Sequence, residues 1–135
     1  MLKAIRGAAT VRSNTANDIV AATQDMLKEI VALNNLSPTQ IVSALFTLTP
    51  DLNAAFPASA ARALGWTDVP MICAQEIPVP GALPMVVRVL IHADVTGQVY
   101  HVYQGGALAL RPDWSAKTKA ADGHDAQSRD HQEGG

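Results

Sequence analysis

One long stretch of this chain repeats its apolar residues at helical spacing. Ile19, Met26, Ile30 and Leu33 stand at i, i+7, i+11 and i+14, with Ala22, Thr23 and Leu27 filling the stripe and Asp25, Lys28 and Glu29 off it. Thr15-Ala16-Asn17-Asp18 reads as a capping box before it, and Asn34-Asn35 supplies a left-handed stop, so the spacing predicts a helix over 16–34. The other apolar segments are short and rich in β-branched or aromatic residues. They read as strands over 2–11, 41–49, 70–75, 85–93 and 99–104, with a last short strand over 107–110. Ser37-Pro38-Thr39-Gln40 marks a single turn, and Phe56-Pro57 opens a short alanine-rich helix through Leu64, closed by Gly65. One long and one short helix with five to six strands predict an α+β fold built on a mixed sheet. Two helices cover one sheet face, while strand four is apolar on both. The pattern therefore predicts self-association through the second face.

At 135 residues the chain is long enough for one domain with a sizeable core. A net charge of −2 and only 16% charged residues leave no electrostatic footprint for nucleic acid and no polybasic face for a membrane. The longest apolar run is interrupted by Arg88, so no segment reads as a bilayer span, and the first residues are too polar for a signal peptide. A single cysteine, Cys73, rules out an intramolecular disulfide framework and fits the reducing cytoplasm expected here. Composition changes after Trp114. Residues 115–135 contain no large apolar side chain and are expected to form a disordered polar tail behind a domain over 1–114.

Arg88 sits inside the apolar run 85–91, sharing its strand face with Val86 and Leu90. A guanidinium in such company is costly unless an anion meets it. Glu76, just past the third strand, is one candidate, in an internal ion pair that merely supports the fold. Before the tail there are five arginines (Arg6, Arg12, Arg62, Arg88, Arg111) but two lysines, and Arg6, Arg88 and Arg111 lie in or at the ends of apolar strands. Arginine is preferred where carboxylates are gripped by a planar fork, so the surplus over Glu76 favours an anionic ligand with one or two carboxylates. Pairing of these arginines to helix ends or to Asp51 and Asp113 is the bland alternative. His92, His101, His124 and His131 show no ligand spacing with each other or with Cys73, which argues against a metal centre. Cys73 lacks a partner imidazole in any recognisable pattern, so no thiol nucleophile is read.

Several segments in order, Arg6-Gly7-Ala8-Ala9-Thr10, Thr49-Pro50-Asp51-Leu52, Ala55-Phe56-Pro57-Ala58, Cys73-Ala74-Gln75-Glu76, Arg88-Val89, His101-Val102-Tyr103 and Leu110-Arg111-Pro112-Asp113, closely resemble the monofunctional chorismate mutases of the AroH class. The resemblance runs from about residue 2 to 114. It implies a homotrimer with a barrel-like core, active sites between subunits, and cofactor-free rearrangement of chorismate to prephenate in phenylalanine and tyrosine synthesis. It implies that Arg88 meets the ether oxygen and a substrate carboxylate, and that Glu76 faces the ring and its hydroxyl, with Cys73 touching that hydroxyl. Arg6 and Tyr103 would bind the enolpyruvyl carboxylate, and Phe56 and Ala58 would form apolar walls. Leu110 and Arg111 would close the C-terminal edge, with Arg62 near the cleft mouth. Ser59 stands where the family often carries lysine, and the loop 77–84 holds three prolines, Pro78, Pro80 and Pro84. Two other readings fit the arginines: an enamine/imine deaminase on a similar trimeric fold, and a non-catalytic trimer that binds carboxylates.

Overall fold

The computed structural model describes residues 1–110. The expected tail, and Arg111 with it, lie outside them. The described chain runs β1 (Leu2–Thr10), α1 (Ala16–Asn34), β2 (Ile41–Leu48), α2 (Ala58–Ala63), β3 (Met71–Gln75), β4 (Val86–Asp94) and β5 (Val102–Gln104), with 3-10 turns at Pro38–Gln40 and Gly105–Ala109. Among these residues the strands form one mixed sheet in the order β3-β2-β4-β1-β5. β4 is antiparallel to β1 and β2, while β3 and β5 add in parallel at the two edges. No described helix is long and apolar enough to cross a membrane.

α1 packs its stripe on one sheet face. Ile19, Met26, Leu27 and Ile30 are fully buried there with Ile5, Phe46, Val87 and Ile91. Alternate residues of each strand point to this core, so Arg88, Leu90 and His92 of β4 are left to the opposite face, as period-2 alternation requires. Gly7 sets how closely α1 can lie on β1: a Cβ there would stand 2.8 Å from Ile30 Cδ1 and 3.2 Å from Met26 Sδ. Gly7→Ala is therefore expected to destabilise the fold by about 1–3 kcal/mol through overpacking. A thermal midpoint several degrees below the parent checks it, and an unchanged midpoint would contradict this close approach.

Local signals explain where the elements differ from expectation. Thr15 does cap α1, its hydroxyl accepting from Asp18 N–H at 3.2 Å, but the return arm of the capping box is missing. The Asp18 carboxylate accepts instead from the Ser13 hydroxyl at 2.6 Å. Asn35 takes the left-handed stop at φ 47°. The fifth strand is shorter than 99–104 because side chains take over its first pairings. Asn34 brackets Tyr100, accepting from its N–H at 2.8 Å and donating to its C=O at 2.9 Å. Arg6 N–H then goes to His101 Nδ1 at 3.0 Å. The strand expected over 107–110 is instead the turn Gly105–Ala109. Gly105 adopts φ 61°, and an added Cβ would collide with the Thr10 hydroxyl, which accepts Gly106 N–H at 3.0 Å. The chain is thereby turned off the end of β1, and Leu110 N–H closes on Ala107 C=O at 3.0 Å.

The start of β4 is clamped. Met85 takes φ 58°, a costly conformation for a residue with a side chain. Its N–H donates to the Asp51 carboxylate at 3.0 Å, and its C=O accepts Val11 N–H at 2.8 Å. Thr49 adds a bond on each side of Val86, its hydroxyl accepting Val86 N–H at 3.0 Å and its own N–H reaching Val86 C=O at 3.0 Å. The Thr49-Pro50-Asp51 turn thus locks the register of the strand that carries Arg88 two residues later.

Candidate active site

The open sheet face is built from rows that cross the strands. One row runs Tyr103, Ala8, Arg88, Thr47, Ala74, and the next runs Arg6, Leu90, Leu45, Ile72. Small neighbours make the room. With alanine beside it on β1, Arg88 can lie along the sheet towards β2 and β3. Arg88 Nε stands 2.8 Å from Glu76 Oε2, yet the two are not aligned as a hydrogen bond. The well-formed bond to that oxygen comes from the Thr47 hydroxyl at 2.7 Å. Glu76 is held in place because its N–H extends the β3–β2 ladder to Leu48 C=O at 2.9 Å. Arg88 keeps 30% of its side chain exposed and Glu76 17%. The pair is therefore neither dry enough for a structural bridge nor loose enough for a solvated one.

Beside this pair is an open hollow of about 330 Å³ lined by Arg6, Leu45, Thr47, Arg88, Val89 and Leu90. Among the described residues two guanidiniums and no carboxylate line it, so it suits an anion of small-molecule size. Tyr103 is buried next to Ala8, and Leu110 packs on the same cluster with Val86 and Ala107. Arg88, Glu76, Arg6, Tyr103 and Leu110 therefore belong to one side of one chain.

The remaining candidates lie elsewhere. Cys73 pairs with Phe46 and so faces the helix side of β3, opposite to Ala74 and Thr47. With Phe56, which is 70% exposed, it lines a larger hollow of about 490 Å³ at the β3 edge, among Leu48, Leu52 and Pro57. Ala58 is buried in the core beneath this region. Arg62 projects from α2 and donates to the Ser59 hydroxyl at 3.3 Å. A single chain thus divides the expected site into an arginine face and a Phe56–Cys73 edge. Sequence reasoning missed Thr47, which the β2–β4 pairing sets opposite Arg88 and which carries no signal in the sequence itself. Among the described residues no group of three His, Cys, Asp or Glu side chains is placed to share a metal ion.

The family model for chorismate mutase type I matches residues 2–114. The chain belongs to the chorismate mutase type I family. It is 42% identical over 119 residues to a Bacillus subtilis protein named chorismate mutase AroH, covering 85% of this chain and 94% of that one. A Thermus thermophilus protein of the same name is 44% identical over 117 residues, covering 84% and 96%. A solved chorismate mutase from Clostridium thermocellum superposes with a TM-score of 0.78 at 48% identity, over 79% of this chain and 98% of that one. Each match spans nearly the whole relative, so the chorismate mutase fold is present here in full, and the deaminase reading loses its ground.

Proposed function

We propose that this chain converts chorismate to prephenate without a cofactor, in the cytoplasm, as a homotrimer whose sites lie between subunits. The observation that carries the reading is the arginine face, where Arg6 and Arg88 share a hollow and Glu76 stands against Arg88. Chorismate offers two carboxylates and an ether oxygen to such a face. In the rearrangement the ether C–O bond breaks while a C–C bond forms, with no covalent intermediate. Negative charge gathers on the enolpyruvyl oxygen and positive charge on the ring. The protein's task is to hold the compact conformer and to meet those charges.

Arg88 supplies the fork for the ether oxygen and an adjacent carboxylate. Glu76 faces the ring and binds its hydroxyl. Arg6 and Tyr103 take the enolpyruvyl carboxylate, and Leu110, with Arg111 beyond it, closes the edge. Phe56, Ala58, Cys73 and Arg62 cannot serve this face from the same chain, since they sit at the β3 edge or on α2. A neighbouring copy can bring its Phe56–Cys73 edge to the arginine face, which also covers an apolar strip where Ile72 is 68% and Ile77 81% exposed. Closed threefold packing would bury both features in every copy. Light scattering is expected to give three times the 14.2 kDa chain mass, and a stable, active monomer would refute the shared site.

A further inference from the structure

We infer that Thr47 is a positioning residue for this reaction, the anchor that keeps the Glu76 carboxylate aimed while Arg88 leaves it for the substrate; the inference rests on the function proposed above. Both groups address the same oxygen: the Thr47 hydroxyl donates to Glu76 Oε2 at 2.7 Å, and Arg88 Nε lies 2.8 Å from it out of hydrogen-bond alignment. Among the described residues Thr47 is the one side-chain donor bonded to this carboxylate in good geometry. Once the guanidinium turns to the ether oxygen, that hydroxyl is what remains.

Thr47 is suited to the task by its place in the sheet. It lies in β2 with β3 paired on one side, opposite Ala74, and β4 on the other, opposite Arg88. Backbone pairing on both sides and a β-branched side chain leave its hydroxyl little freedom. Glu76 is the reverse, a long side chain just beyond the end of an edge strand, with several torsions to restrain. Engaging Oε2 leaves Oε1 for the ring hydroxyl. A carboxylate fixed beforehand loses no orientation as charge develops on the ring.

The test uses the full chain and steady-state turnover of chorismate. Thr47→Val keeps the shape and removes the donor, and is expected to lower kcat by on the order of 10-fold, the effect of one hydrogen bond to a charged group, with KM within about 2-fold. Thr47→Ser restores the donor and is expected to recover most of kcat. Added to Glu76→Gln, Thr47→Val is expected to cost less than about 2-fold more, because the anchor acts through the carboxylate. Thermal midpoints measured beside the rates identify a loss caused by misfolding, which the serine variant would then not share. An active parent with an equally active Thr47→Val protein would overturn the inference alone. So would a valine penalty undiminished in the Glu76→Gln background. A parent with no turnover would overturn the proposed function and the inference together.

Discussion

Replacing Arg88 with alanine is expected to lower kcat/KM by roughly 10³-fold or more, the upper range for removal of a preorganised donor to developing negative charge. The expectation rests on placement. Arg88 is fixed by β4 pairing on both flanks, opposite Ala8 and Thr47, and the strand's register is clamped at Val86 by Thr49. Its guanidinium lies partly shielded, where a charge-assisted hydrogen bond is worth more than in open water. Arg88→Lys keeps the charge but not the planar fork, so it is expected to recover only a small part of the loss. Circular dichroism and scattering should show the variants folded and assembled, because the core face of β4 is untouched. An alanine variant within 10-fold of the parent would remove Arg88 from the reaction.

Glu76→Gln is the second large effect, and its signature differs. Glutamine keeps the shape, and its side-chain carbonyl can still accept from Thr47 at the position now occupied by Oε2. What is lost is negative charge facing the ring. Ground-state binding of a dianion gains nothing from that charge, so KM should stay level or fall. The transition state does gain from it, so kcat is expected to fall by about 10²-fold. A carboxylate that merely supported Arg88 would give the opposite split, a raised KM and lowered stability at nearly full kcat. The same measurement separates a catalyst from a trimer that only binds carboxylates, since an anion receptor has no use for Glu76.

Much of this arrangement is legible in the sequence because local and global signals agree. The stripe from Ile19 to Leu33 fixes α1, and the apolar runs flanking Arg88 place it on a central strand whose second face is open. The departures arise where side chains replace backbone pairing, which periodicity cannot register. Asn34 takes both backbone groups of Tyr100, so β5 starts late. Gly105 and the Thr10 hydroxyl divert the segment that alternation assigns to a sixth strand. In the candidate site, Arg6, Arg88 and Glu76 were within reach of a sequence argument, since unusual charge in or beside apolar strands is visible in one dimension, whereas Tyr103 came only from the family resemblance. That Cys73 faces away from Glu76 was not. It depends on strand parity counted through a pairing with Phe46 that no local pattern specifies. Thr47 was equally hidden, because a threonine in a strand is ordinary until a carboxylate is found against it.

The central claim is that the face holding Arg88 and Glu76 rearranges chorismate, and the most direct measurement is the loss of chorismate's ultraviolet absorbance on adding purified protein, run beside Arg88→Ala. The account predicts conversion to prephenate with no added cofactor by the parent, and conversion slower by roughly 10³-fold or more by the variant. Equal rates in the two samples, or none in a folded and assembled parent, would contradict it.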